Sequence, residues 1–166
     1  ATAAVFSADD GSTGREPWVT DGTAAGTLRL ADILPGASGS GVGGFHAFGG
    51  RAFFGADDGA VGDELWATDG TAAGTVRVAD IRPGTAGSSP RDFVTVGGEV
   101  WFNAIETSTG REFWRTNGTA AGTTLVADLN PGSGWTNPTQ AVAFGAGVLF
   151  RGSASGAGDE PHFTDG

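Results

Sequence analysis

The sequence predicts an all-β protein, a β-propeller-like array of four-stranded blades, and three observations carry that prediction. A motif returns every 48 residues without insertion or deletion: Gly14 to Thr23 (GREPWVTDGT) recurs as Gly62 to Thr71 (GDELWATDGT) and Gly110 to Thr119 (GREFWRTNGT), with a shortened copy at Gly158 to Gly166. A unit that stacks on its own copies must keep its length, so a fixed interval points to blades or coils rather than to an irregular globular fold. Four short extended segments fit each period, every one bounded by Gly, Pro, Asp or Asn. Helical periodicity is absent, because no window of about 11 residues places apolar positions three and four apart without an interrupting Gly or Pro.

The first segment of each period is marked by Val5-Phe6, Phe53-Phe54, Trp101-Phe102 and Leu149-Phe150, and the second by Trp18, Trp66, Trp114 and His162. The third is expected over Leu28 to Ile33, Val76 to Ile81 and Thr124 to Leu129, where β-branched and aliphatic residues gather. Phe45 to Phe48, Phe93 to Val96 and Ala141 to Phe144 supply the fourth. Between the second and third lies Thr-Asp-Gly-Thr-Ala-Ala-Gly-Thr, at Thr20 to Thr27 and Thr68 to Thr75, with Asn117 replacing Asp in the third copy. Asp or Asn before Gly suits a turn with positive backbone angles, and the threonine hydroxyls can cap nearby amides. Asn117-Gly118-Thr119 also matches a glycosylation acceptor, but its place in a repeated turn favours the turn reading.

Four strands in 48 residues are too many for one coil of a parallel β-helix and suit a propeller blade. Counting from Thr23, the units are a leading half-blade 1–22 and blades 23–70, 71–118 and 119–166, about three and a half in all. Closed propellers need at least about four blades, so the array is not expected to close alone. Open blade edges present unpaired backbone and apolar surface, which predicts protein partners or self-association.

Composition narrows the function. The 31 glycines would suit disorder, but regularly spaced Phe and Trp argue for a packed fold. No cysteine is present, which removes disulfides, thiolate metal sites and cysteine nucleophiles. Arginine supplies all nine positive charges, and the net charge of −10 opposes nucleic acid and anionic lipid. No apolar run approaches the roughly 20 residues of a membrane-spanning helix, so membrane insertion is not expected. The start at Ala1 fits a processed or excerpted segment.

Glu64-Leu-Trp-x-Thr-Asp-Gly-Thr-x-x-Gly-Thr75, followed by Val78-Ala79-Asp80-Ile81-Arg82-Pro83-Gly84, resembles the bacterial ELWxxDGT repeat family, also labelled hyalin-like. The resemblance spans the chain and implies propeller-type blades in a secreted or cell-surface bacterial protein. It brings no catalytic residues. Pro17, Phe113 and Pro161 depart from the expected Leu, and His162 from the expected Trp.

Candidate site residues are few. Asp9, Asp10 and Glu16, then Asp57, Asp58, Asp63 and Glu64, precede or flank the tryptophan strand, and carboxylates separated by glycine can wrap calcium. The third and fourth copies lose the Asp pair to Ile105-Glu106 and Ala154-Ser155, so the main expectation is solvated turns and no cofactor, with calcium the one ion the first two copies could take. Glu16, Glu64, Glu112 and Glu160 recur once per unit, too far apart for paired-acid glycosidase chemistry, and are expected in a repeated salt bridge or hydrogen bond. His46 and His162 fall at different phases without a third ligand. Gly39 to Gly44 fits a dinucleotide fingerprint only on paper, since no helix follows.

Trp135 replaces Gly39 and Gly87 in the loop after Pro131-Gly132, where it could anchor a partner or stack on a sugar. With His162 it forms the candidate interaction set. The expected function is therefore a non-enzymatic extracellular repeat module with a structural or protein-interaction role in a larger assembly. A carbohydrate-binding, lectin-like propeller is the alternative, and a hydrolase the third class.

Overall fold

The computed structural model describes residues 3–131, 135–153 and 158–166. Among them there is no helix; fourteen strands form four antiparallel sheets of three or four strands. The chain divides into two compact units, Ala1–Ser89 and Pro90–Gly166.

The first unit holds a three-stranded sheet, β1 (Ala4–Asp9), β2 (Arg15–Thr20) and β3 (Leu28–Arg29), and a four-stranded one, β4 (Gly43–Phe48), β5 (Arg51–Asp57), β6 (Asp63–Thr68) and β7 (Val76–Ala79). The second unit holds β8 (Arg91–Val96), β9 (Glu99–Glu106), β10 (Gly110–Thr116) and β11 (Thr124–Ala127), then the three-stranded β12 (Thr139–Phe144), β13 (Gly147–Ser153) and β14 (Asp159–Thr164). Every strand pairs with its neighbour in sequence, so each sheet is a meander. Sheets break after residues 29, 79 and 127, not at the counted boundaries 22, 70 and 118. The Asp-Gly-Thr turn joins two strands of one sheet, and a count started there cuts a hairpin.

Turn chemistry explains the meander. Gly49-Gly50 and Gly97-Gly98 carry positive φ at both positions, the two-residue hairpin whose twist matches its strands. The first strand of each later sheet carries a bulge, between Gly43 and His46, Arg91 and Val94, and Thr139 and Val142. Gly44, Asp92 and Gln140 take the left-handed backbone angle there.

One strand is shorter than the sequence suggests. β3 ends at Arg29 rather than near Ile33. Where the other sheets pair Leu65 with Ala79 and Phe113 with Ala127, the first has Pro17, which has no N–H for the ladder. Only the Leu30 amide reaches across, to the Pro17 carbonyl at 2.8 Å.

Each unit has its own core. In the first, Ile33 and Val42 pack with Phe54 and Ala56, joined by Phe45 and Trp66. In the second, Val96, Trp101 and Phe113 of one sheet meet Val148 and Phe150 of the next, with the Phe113 and Phe150 rings edge to face at 4.8 Å.

Candidate functional site

The recurring glutamates come first because their burial is complete. Glu16, Glu64 and Glu112 are each 0% exposed on the second strand of their sheets. Their carboxylates reach forward to the loop after the third strand. Glu16 accepts from the Ile33, Leu34 and Ser40 amides and the Ser40 hydroxyl. Glu64 accepts from the Ile81 and Arg82 amides and the Ser88 hydroxyl, and Glu112 from the Leu129 and Thr136 amides. The sequence expected a repeated salt bridge or hydrogen bond, and this is a hydrogen-bonded clamp on backbone. Burial pushes Glu64 and Glu112 above the ordinary glutamate value, against the opposing pull of those donors. Glu160 is exposed.

The acidic turns are likewise occupied. Asp9 and Asp57 accept from the Gly11 and Gly59 amides at 2.7 Å. Asp10 gathers the amides and hydroxyls of Ser12 and Thr13 on one oxygen. Asp58 accepts from Ala60 and Val61 and pairs with Arg77 at 2.8 Å. Asp63 faces Asp57 across its hairpin, and its carbonyl accepts from Ser88 and Ser89. Among the described residues no three His, Asp or Glu side chains form a group that could hold a metal ion. The Ala154-Ser155 position lies outside the described residues.

The Asp-Gly-Thr turns repeat one pattern. Asp21, Asp69 and Asn117 each accept from the amide and hydroxyl two residues on. Thr20–Thr27, Thr68–Thr75 and Thr116–Thr123 hydroxyl pairs at 2.7, 2.7 and 2.8 Å close the loops.

These turns set an acid dependence. The Ser12 hydroxyl and the Ser12 and Thr13 amides hold Asp10 well below the usual 3.8; the Thr23 and Thr71 hydroxyls and amides do the same for Asp21 and Asp69. A depressed folded value means stability that is present above 3.8 and lost as pH falls through the lower folded value. Glu64 and Glu112 act with the opposite sign: their contribution is full below 4.5 and is lost as pH rises through the raised folded value. Asp10→Asn is therefore expected to flatten the fall in melting temperature below pH about 4, read by melts at graded pH. An unchanged acid limb would refute the assignment.

The two candidate interaction residues have different surroundings. His162 stacks on Phe150 at 5.5 Å, and its Nε2 lies 3.1 Å from the Gly152 carbonyl. It takes the register position that Trp18, Trp66 and Trp114 hold opposite Phe6, Phe54 and Phe102. Trp135 is 52% exposed. At the equivalent Gly39 and Gly87, backbone lies against the backbone of Gly14-Arg15 and Gly62-Asp63, leaving no room for a Cβ. The cross-connection accordingly differs: Ser40 and Ser88 donate to the carbonyls of Arg15 and Asp63, whereas Asn137, one residue later than Thr136, donates to that of Arg111. His46 sits opposite Phe53, and burial holds it below the usual 6.5.

Two concavities remain. One of about 620 Å³ in the first unit is lined by Ala4, Phe45, Phe48, Arg51, Thr68 and Asp69. The other, about 290 Å³, lies in the second unit on the β12–β14 sheet, against Gln140, Val142, Leu149, Arg151, Asp159 and Pro161. It belongs to a wider apolar face on which Val142, Phe144, Leu149 and Phe163 are all exposed. The sequence gave no sign that this face is uncovered, because the same apolar alternation appears in strands whose faces are buried.

The chain is similar in fold to a solved prolyl endopeptidase structure. The TM-score is 0.58 at 14% identity, over 98% of this chain and 23% of that one. That structure comes from work on two prolyl endopeptidases in which inter-domain dynamics bear on catalysis and specificity. This chain spans 23% of its length, and at this identity the likeness is one of fold alone. No protein-family model and no curated protein matches the chain.

Proposed function

We propose that this chain is a non-catalytic β-propeller-type repeat module, secreted or displayed on a bacterial surface, that holds protein partners within a larger assembly. The uncovered apolar face of the β12–β14 sheet carries this reading. Val142, Phe144, Leu149 and Phe163 stand together in water there, an arrangement that marks interaction surfaces. The blade architecture draws support from the four meandering sheets and from the fold likeness. Left-handed angles at Gly41, Ser89 and Asn137, as at Gly44, Asp92 and Gln140, support a unit of 48 residues. The glutamates that could have served chemistry in each unit are spent on backbone amides.

Cross-linking the protein in its native source tests the reading. Adducts mapping to residues 140–163, lost on Phe144→Asp, are the expected result. Adducts that survive the substitution, or none at all, overturn it.

Exposed Trp135 favours a second reading, a glycan-binding propeller. Trp135→Ala is expected to abolish glycan-array binding while shifting stability by less than about 0.5 kcal/mol. An array without hits for the unaltered protein ends that reading.

A further inference from the structure

We propose that the uncovered face of the β12–β14 sheet docks the β1–β3 sheet of a second copy of this chain, head to tail. This rests on reading the chain as an interaction module and names its partner.

The second unit contains the template. Val94, Val96, Trp101 and Phe113 form one face of the β8–β11 sheet, and Val148, Phe150 and Ala141 of the next sheet cover it, leaving Val96 and Trp101 only 4% and 2% exposed. At the polar end of that face Arg111 donates to Asn103, and Asn103 donates to Asp92 and to the Pro138 carbonyl of the covering segment. The β12–β14 sheet repeats this layout. Val142, Phe144 and Leu149 stand 48 residues after Val94, Val96 and Trp101, and Gln140, Arg151 and Asp159 stand 48 after Asp92, Asn103 and Arg111. Cross-strand partners Val142 and Leu149, Leu149 and Phe163, and Arg151 and Pro161 put the set on one face. Here, however, Phe144 is 66% exposed, against 4% for its counterpart Val96.

The period also specifies the cover. What covers the earlier face is a strand with an aliphatic residue and a phenylalanine two positions on, Val148 and Phe150, with Phe150 opposite His162. Three periods earlier, β1 offers Ala4 and Phe6, with Phe6 opposite Trp18. Ala4 is exposed and Phe6 half-buried. The contact joins two different surfaces, so it propagates into rings or filaments rather than stopping at a symmetric pair. Each copy carries a net charge of −10, so added salt strengthens the association by screening repulsion while the apolar contact persists.

Sedimentation velocity of the unaltered protein, Phe144→Asp, Ala4→Asp and an equimolar mixture of the two variants tests this. The unaltered protein is expected to associate with concentration, and each variant alone to be weakened at least about 30-fold. The mixture is expected to form a two-copy species and nothing larger, because one intact face of each kind remains. Val142→Asp must behave as Phe144→Asp does, and circular dichroism of every variant must match the parent. A parent that stays monomeric overturns the docking, as does a variant that associates normally or a mixture without the two-copy species. A monomeric parent leaves the interaction-module reading to native cross-linking, so the two fail separately.

Discussion

Replacing Glu64 with alanine is expected to destabilise the first unit by about 3–5 kcal/mol, a large share of the roughly 5–15 kcal/mol a domain possesses. Two effects oppose each other. Burial disfavours the ionised carboxylate, and its removal relieves that cost. Against this, the Ile81 and Arg82 amides and the Ser88 hydroxyl lose their acceptor, and each buried donor left unmatched costs about 1–3 kcal/mol. Three donors outweigh one relieved charge. Glu64→Gln keeps the volume and one acceptor oxygen, so a loss of about 1–2 kcal/mol is expected. Glu160→Ala, at an exposed position, is expected to stay within about 0.5 kcal/mol. Thermal melting reads the series: Glu64→Ala should melt roughly 10 °C below the parent. A difference under about 2 °C would show that the clamp does not hold the loop.

Gly62→Ala is expected to be nearly as damaging, at about 3 kcal/mol, for a different reason. Gly62 adopts φ +78°, and a Cβ there would stand 2.5 Å from the Gly87 nitrogen. Both obstacles are backbone, so no rotamer change relieves the clash, and the left-handed angle adds strain of its own. Gly41→Ala is the matched control. Its φ is +67° with nothing within 4 Å of the added carbon, so strain of about 1 kcal/mol is all that is expected. Urea unfolding of both variants separates close approach from backbone angle. Equal losses would refute the role given to the Gly62–Gly87 approach.

The all-β fold was legible because its signals are local. Asp-Gly turns, paired glycines and aromatic spacing place most strands within a few residues, and Gly49-Gly50 and Gly97-Gly98 act as their chemistry requires. The third segment was over-read in the first sheet, since the apolar run continues past Arg29 while Pro17, ten or more residues earlier, ends the ladder. Glutamate recurrence marked a structural role, but its partners are mostly main-chain amides, which no residue type announces. Trp135 stood out only as a departure from glycine; its exposure follows from a loop that can no longer lie against Gly110-Arg111 as its counterparts do. The uncovered face was invisible for a deeper reason. Leu149 and Trp101 occupy the same phase and read alike, and only sheet order separates a covered strand from one in water.

The threonine-locked turns bear on how the chain folds. Each lock joins residues seven apart and draws on donors and acceptors inside its own hairpin, so it forms before any distant segment arrives. Three such seeds lie along the chain, and none depends on another. Collapse can therefore begin at any of them and spread to its neighbours, so that a lesion in one seed slows the search without halting it.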